Sequence, residues 1–194
     1  SGEIFSLTPT PSTGAPTEEF PRKLSETGLF TSVEQQIPAA GVIPYSVNAP
    51  TWADGADVQR FLGLPGSDQI TFGNNRGWEF QDGTVAVQTL SLEFEAGNPD
   101  SRRPVETRLL TRQEGEWLAY SYMWNDAGTD AMLVGRDGMD RKFRIQDPAA
   151  EGGSRQRTWR YASRMECMGC HSRAAKWVLG LNTLQMNRDH DYGE

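Results

Sequence analysis

Short runs in which apolar and polar residues alternate fill the middle of the chain, from about residue 58 to residue 161. Alternation with a period of two places successive side chains on opposite faces of a β-strand. Gly, Asp and Asn between the runs favour turns. We therefore predict strands at 58–64, 69–72, 84–94, 105–112, 116–125, 130–134, 142–145 and 157–162. The run 116–125 carries apolar residues on both alternating faces, which is typical of a central strand.

The N-terminal part of the chain lacks this pattern. Residues 1–18 combine a weakly alternating start with a Pro-, Ser- and Thr-rich stretch, which is typical of a linker. We interpret them as the tail of a preceding domain plus a linker, and residues 19–194 as the domain itself. Residues 20–30 predict a short helix or turn that ends at Gly28, since glycine readily adopts the left-handed conformation of a helix C-terminus. The prolines of residues 31–55 favour a loop.

Helical signals return after residue 162. Ser163 followed three positions later by Glu166 is a capping-box pattern, which predicts the start of a helix. Two further short helices are predicted, one over 174–179 and one over 183–187, the latter capped by Asn182. The predicted fold class is therefore α+β, with a mainly antiparallel β-sheet body and short C-terminal helices.

Composition limits the function. A chain of 194 residues is long enough for one domain with a sizeable core. The net charge of −7 argues against nucleic-acid binding, because phosphate contacts need clustered Lys and Arg. No apolar stretch approaches the roughly 18 residues of a membrane span. The start of the chain lacks a basic and an apolar region, so we expect a mature or excised chain without its leader.

The acidic balance of the chain is locally reversed near its C-terminus. A basic band over 151–177 contains cations that could offset an anionic cofactor, attract an acidic partner, or lie on a solvated face. Its members are Arg155, Arg157, Arg160, Arg164, Arg173 and Lys176.

Both cysteines of the chain, and one of its two histidines, lie within this band. Cys167, Cys170 and His171 form the pattern C-x-x-C-H, the attachment signature of c-type haem. Two thiols about one helical turn apart reach the two vinyl groups on one porphyrin edge, and the adjacent imidazole ligates the iron. The sequence thus predicts one covalent haem c, with Cys167 and Cys170 binding the cofactor and His171 as axial ligand.

Other chemistry remains open for this motif. A structural zinc site would need His190 as a fourth ligand in an unusual arrangement. A thioredoxin-like dithiol would need a βαβ context, which the antiparallel pattern does not provide. A disulfide between Cys167 and Cys170 would require an oxidising compartment.

The ligand on the second side of the iron is a separate question. Met186 and His190, in the C-terminal tail, are candidate sixth ligands. Upstream candidates are Met123, Met132 and Met139, although a methionine on a strand is more often core filler. An open position is the third interpretation.

Several sequence segments, together with the CMGCH motif, resemble segments found in one protein family. They include FPRKLSETGLF, IPYSVNAPTWADGA, GWEFQDGTVAV and LGLNTLQMNRDHDYG. The chain is similar over most of residues 19–194 to bacterial monohaem c-type domains that follow a quinone-dependent glucose/sorbosone-dehydrogenase-like β-propeller. More distantly it is similar to the β-sheet cytochromes of the c-prime-beta group, whose haem can be five-coordinate. Where that wider group often carries a lysine, this chain has Gln88, which argues against a lysine-crosslinked haem.

The resemblance implies an electron-transfer module. It would accept electrons from a sugar dehydrogenase domain, in the same polypeptide, and pass them to an external acceptor such as another cytochrome. We assign no catalytic residue and expect no catalysis from this domain alone. Thioether attachment outside the cytoplasm implies a periplasmic or extracellular bacterial protein. The alternatives are a five-coordinate haem that senses gases or performs small-molecule redox chemistry, and a β module that binds a carbohydrate or protein partner.

Overall fold

The computed structural model describes residues 20–73 and 77–191. Its strands are β1 (Phe30–Ser32), β2 (Ile37–Pro38), β3 (Val42–Pro44), β4 (Asp57–Gly63), β5 (Val85–Glu93), β6 (Arg102–Gln113), β7 (Glu116–Trp124), β8 (Ala131–Leu133), β9 (Met139–Gln146) and β10 (Ser154–Tyr161). Its α-helices are α1 (Arg164–Cys170) and α2 (Thr183–Met186). Short 3₁₀ turns lie at Leu24–Thr27, Pro99–Ser101, Glu151–Gly153 and Arg173–Ala175. The predicted tail and linker, residues 1–18, lie outside the described residues.

Six strands form the central antiparallel sheet in the order β3-β4-β5-β6-β7-β8, which is also their order along the chain. Sequential neighbours follow from short connections, such as the two-residue turn between β6 and β7. Glu114 and Gly115 in that turn have φ angles of 52° and 80°, and such positive values match the right-handed twist of the strands they join. Strands β9 and β10 form a separate hairpin, and β1 pairs with β2.

The first face of the central sheet is covered by the N-terminal part of the described chain. One cross-strand row on this face consists of Phe61, Val87, Leu109 and Tyr120. The Phe20 ring stacks on Tyr120 at 3.7 Å between ring centroids, and Leu24 is fully buried in the same cluster. Burial of such side chains contributes about 1.5–3 kcal/mol each.

The second face carries three neighbouring rows with different chemistry. The apolar row is Leu62, Ala86, Leu110 and Ala119. The polar row is Arg60, Gln88, Arg108 and Ser121. The third row is Val58, Leu90, Glu106 and Met123. Residues of the C-terminal segment pack against the apolar row, whereas the β9-β10 hairpin packs beside the third row. The polar row therefore lies between two apolar clusters.

The α+β class predicted from the sequence is wrong, because the structure is mainly antiparallel β-sheet with little helix. The predicted helix 174–179 is a single 3₁₀ turn over Arg173–Ala175. Lys176 and Trp177 adopt positive φ angles of 56° and 65°, which end the helical path. Helices α1 and α2 bury no residue completely. They therefore form no layer of their own.

The predicted strands agree with the structure better than the predicted fold class does. Seven of the eight predicted runs overlap β4 to β10. The eighth, 69–72, is wrong, since it forms only an isolated bridge between Thr71 and Glu79. Phe72 within it is exposed, so that run lacks the covered apolar face that stabilises a strand. The 3₁₀ turn Leu24–Thr27 and the left-handed Gly28 that follows it confirm the predicted N-terminal turn.

Candidate functional site

Helix α1 begins where the capping-box pattern predicts. The Ser163 hydroxyl accepts a hydrogen bond from the Glu166 backbone N–H at 3.1 Å, and the Glu166 carboxylate accepts one from the Ser163 N–H at 2.6 Å. An ion pair of 2.8 Å joins Glu166 to Arg160. Together with backbone hydrogen bonds from Ser163, this pair holds the pKa of Glu166 to about 2. The first turn of the helix is thereby fixed to β10.

Close packing at Gly138 also fixes the start of α1. This glycine has φ of 70°, and a Cβ atom at its position would lie 2.6 Å from the Ser163 nitrogen. The backbone N–H of Arg164 donates to the Arg136 carbonyl at 3.0 Å. The turn between β8 and β9 thus sets the place and direction of the helix that carries the cysteines.

The three motif residues lie at the end of α1. Cys167 is half-buried and Cys170 is exposed, and both are free thiols. His171 is the C-cap of the helix, where its N–H donates to the Cys167 carbonyl. The three residues therefore lie within about one helical turn of backbone.

The His171 ring is oriented by a backbone carbonyl. Its Nδ1 lies 2.6 Å from the Trp177 carbonyl oxygen. Because a carbonyl only accepts hydrogen bonds, Nδ1 must carry the proton, and in a neutral ring Nε2 then keeps its lone pair. Metal-ligating histidines are commonly held in this way. The tautomer of His171 is therefore the one that suits an axial ligand.

An unusual backbone turn presents that carbonyl. Lys176 and Trp177 are consecutive residues in the left-handed region, a conformation that costs side-chain-bearing residues roughly 1–2 kcal/mol each. Trp177 N–H donates to the Ser172 carbonyl at 3.0 Å, which holds the turn closed. Strain of this kind persists where the surrounding structure fixes it and is concentrated at functional sites.

A cavity of about 70 Å³ lies between α1 and the second face of the central sheet. Cys167, His171, Val178 and Leu179 line one side of it. The sheet side is lined by Tyr45, Ala86, Gln88, Arg108, Leu110 and Ala119, together with Leu109 and Tyr120. Because Ala86 and Ala119 have short side chains, they leave space beside this wall of the cavity.

The cavity is smaller than the roughly 300–1,000 Å³ of typical small-molecule sites. A second cavity, of about 410 Å³, lies on the other side of Val178 and Leu179. Val178 and Leu179 line both spaces. Cys167, Cys170 and His171 are the donor types that haem c attachment needs, but the cavity beside Cys167 and His171, at about 70 Å³, is too small for a porphyrin.

The charge on the sheet side of the cavity comes from Arg108. Burial lowers the pKa of Arg108, but the buried carboxylate of Glu106 outweighs it and the pKa is raised. Arg108 Nη2 donates to Glu106 at 2.9 Å. Burial raises the pKa of the nearby Cys167 thiol, an effect that the Arg108 charge opposes. Glu106 and Arg108 are not among the candidates predicted from the sequence; the pattern V-E-T-R over 105–108, which places the two charged residues on one strand face, is the signal that could have indicated them.

The basic band, by contrast, is largely engaged in ion pairs on the surface. Arg155 pairs with Asp147 at 3.2 Å, Arg160 with Glu166, and Lys176 with Glu79 at 3.8 Å. The guanidinium groups of Arg157 and Arg164 lie over the rings of Trp159 and Tyr120. These contacts favour the interpretation of the band as a solvated face.

None of the candidate sixth ligands lines the cavity beside His171. Met186 packs into the apolar cluster that includes Cys167. The other histidine of the chain, His190, makes a 2.9 Å hydrogen bond through Nδ1 with Ser46. Met123 packs against the hairpin cluster. Met132 and Met139 are exposed.

The alternatives for the cysteine motif gain no support from the fold. Within residues 20–73 and 77–191, no group of three or more His, Cys, Asp or Glu side chains is placed to hold a metal ion. This result covers the zinc arrangement with His190 and equally the set Cys167, Cys170 and His171. Helix α1 follows an antiparallel hairpin and not a βαβ unit, so the thioredoxin context is missing too.

Comparison of the chain with family models, with curated proteins and with solved structures found no match in any of the three. In the described part of the chain, no helix has both the length and the apolar character needed to cross a bilayer.

Proposed function

We propose that this domain is a monohaem c-type cytochrome domain. Cys167 and Cys170 would hold the porphyrin by thioether bonds, and Nε2 of His171 would be the axial ligand. The observation that carries the proposal is the 2.6 Å contact of His171 Nδ1 with the Trp177 carbonyl, since it fixes the ring and leaves Nε2 for a metal. When bound, the haem supplies a one-electron redox couple.

We further propose electron transfer as the role of the domain. Cys170 is exposed, and Met165 on the same helix has 83% of its surface accessible. The thioether edge would thus lie near the protein surface, where a redox partner can approach it. The proposed donor, a quinone-dependent sugar dehydrogenase in the same polypeptide, rests on the sequence resemblance alone, as does an external acceptor such as another cytochrome. A short linker between the two domains would keep the dehydrogenase at a high effective concentration near the haem.

The cofactor is tested first. The chain is expressed with an exported leader in bacteria that mature c-type cytochromes, and the purified protein is examined as its pyridine haemochrome. We expect the spectrum of a two-thioether haem that resists acid-acetone extraction. Cys167→Ala and Cys170→Ala should each shift the band towards that of a single thioether. Colourless protein, or pigment removed by acid-acetone, would refute the assignment.

The axial ligand is tested with the two histidines of the chain as a matched pair. His171→Ala should abolish the wild-type ferric and ferrous spectra, whereas His190→Ala should leave them unchanged. An unchanged spectrum in His171→Ala would refute the axial role. Met186→Ala in the same series shows whether that side chain moves into the coordination sphere.

Electron transfer is tested by mixing the oxidised protein with a quinone-dependent sugar dehydrogenase and its sugar. Haem reduction that requires both components supports the proposed role and also the proposed periplasmic or extracellular setting, where such enzymes act. Absence of reduction by any dehydrogenase, in a protein that dithionite reduces readily, would refute it.

A second candidate function is a five-coordinate haem that binds a small molecule. The observation that favours it is that neither Met186 nor His190 lines the cavity with His171. Titration of the ferrous protein with carbon monoxide separates the two functions. Fast and tight binding supports the second candidate, whereas a six-coordinate spectrum that resists the gas supports electron transfer alone.

A further inference from the structure

A surface cavity of about 510 Å³ lies where the end of the β6-β7 hairpin meets residues 173–177. Its volume is within the roughly 300–1,000 Å³ of typical small-molecule sites. The lining residues are Trp78, Glu79, Phe80, Arg112, Gly115, Trp117, Arg173, Lys176 and Trp177. Cys167, Cys170 and His171 do not line this cavity, so a ligand could occupy it whether or not haem is attached.

Three tryptophans on the lining have well-defined positions. The hairpin register pairs Trp117 with Arg112 directly across the two strands, so both side chains are on one sheet face. The Phe80 ring meets Trp117 edge to face, with 5.8 Å between the ring centroids. Trp78 and Trp177 pack against the same apolar cluster and stay partly exposed. The cavity is therefore bordered by indoles that the core holds in place and that still have surface for a ligand to cover.

The charged residues of the lining are mainly positive. Arg112 forms an ion pair of 3.3 Å with Asp82. Lys176 lies 3.8 Å from Glu79, a separation longer than a hydrogen bond. Arg173 is exposed and forms neither an ion pair nor a side-chain hydrogen bond with the part of the chain that the structure describes. Lys176 and Arg173 thus have donors available for an anion.

The side chains of the lining supply many hydrogen-bond donors and few acceptors. Arginine, lysine and the indole N–H only donate, and the carboxylate of Glu79 is the acceptor among these side chains. Sugar hydroxyl groups need acceptors as well as donors. An aromatic carboxylate needs only donors at its charged edge, and its flat ring suits contact with tryptophan. The lining therefore matches an aromatic carboxylate better than a sugar.

We propose that this cavity binds a planar aromatic ligand that carries more than one carboxylate. Arg173 and Lys176 bind the carboxylates, and the tryptophans contact the ring. A single carboxylate would leave one of these two cations without a partner, which is why the ligand class has several.

Isothermal titration calorimetry of the full chain with trimesate, a benzene ring that bears three carboxylates, tests the site. We expect saturable binding that weakens as the salt concentration rises, because salt screens the attraction between charges. Cyclohexane tricarboxylate has the same charge without a flat ring and should bind roughly 3–10-fold more weakly, the effect of one aromatic contact. Glucuronate, a sugar acid, should bind more weakly than trimesate.

Two exposed arginines give a matched pair of variants. Arg173→Gln removes a cation of the cavity and should weaken trimesate binding about 10-fold, the effect of one hydrogen bond to a charged group. Arg136→Gln removes the same charge from a side chain that is 81% exposed and does not line the cavity. It should change the affinity by less than about 2-fold, since solvent screens distant surface charges. Trp177→Leu should reduce the preference for trimesate over its saturated analogue.

Four results would overturn the inference. They are no saturable trimesate binding, an equal loss in the two arginine variants, equal affinity for the saturated analogue, and tighter binding of glucuronate than of trimesate. The last result would indicate a site for acidic sugars instead.

Discussion

The buried carboxylate of Glu106 is the point at which the structure predicts its largest single-residue effect. This side chain is completely buried. It accepts hydrogen bonds from Arg108 at 2.9 Å, from the Trp159 indole N–H at 3.0 Å, and from the Ser121 hydroxyl. These donors come from β6, β10 and β7, so one carboxylate joins the central sheet to the hairpin. Glu106→Ala removes the acceptor for all three.

The magnitude follows from the burial of the charges. Removing one partner of a buried ion pair costs about 3–5 kcal/mol, because the other charge is left uncompensated. The Arg108 side chain is 38% exposed, so water can partly solvate it, and we expect the lower end of that range, about 3 kcal/mol. Domains of this kind are stable by only about 5–15 kcal/mol. Glu106→Ala should therefore remove a large fraction of the free energy of unfolding.

Urea denaturation followed by circular dichroism measures this loss. Glu106→Gln, which keeps one acceptor oxygen, should lose less than Glu106→Ala. A double-mutant cycle with Trp159→Phe should show a coupling of about 1–2 kcal/mol, as expected for a hydrogen bond to a charged group. Glu116→Ala, at an exposed position of β7, is the control and should stay within about 0.5 kcal/mol of wild type. A loss below about 1 kcal/mol in Glu106→Ala, or zero coupling to Trp159, would refute the reasoning.

Three further predictions concern the backbone and the cap of α1. Gly138→Ala should destabilise the domain by about 2 kcal/mol in thermal denaturation, because the new methyl group would lie 2.6 Å from the Ser163 nitrogen. Glu114→Asn should raise stability by about 0.5 kcal/mol in urea denaturation, since Glu114 has φ of 52° in a turn that favours Asn before Gly. Glu166→Gln should remove a pH-dependent part of the stability. The Arg160 ion pair lowers the pKa of Glu166 to about 2, so its contribution is present above the ordinary pKa of about 4.3 and is lost as the pH falls towards 2.

Each of these predictions has a control in the chain. Gly135→Ala adds a methyl group where no atom lies within 4 Å; an effect equal to that of Gly138→Ala would show that the close contact is not the cause. Glu116→Asn changes a strand position and should not raise the stability. If it raises the stability as much as Glu114→Asn does, turn geometry is not the cause. If wild type and Glu166→Gln lose stability in parallel between pH 4.5 and 2, the carboxylate is not the group responsible.

The sequence alone determined the local features of this protein. The period-two alternation located β4 to β10. The Ser163 and Glu166 pair located the start of α1, and Asn182 located α2. Each of these signals acts between residues a few positions apart, through strand pleating, helix capping or turn geometry. The spacing of Cys167, Cys170 and His171 is local as well, so the attachment motif could be recognised without a structure.

Only the tertiary structure decided the class of the fold and the surroundings of the motif. The predicted helix 174–179 ends after one 3₁₀ turn because Lys176 and Trp177 are left-handed, and the same turn brings the Trp177 carbonyl to His171. Arg108 and Gln88 lie side by side, opposite Cys167 and His171, because the register between β5 and β6 pairs them. Register and layer contacts depend on residues far apart in the chain, and a shift of one position would turn every side chain of a strand to the other face. No local pattern contains that information, so the cavity and its donors could be identified only once the strands were paired.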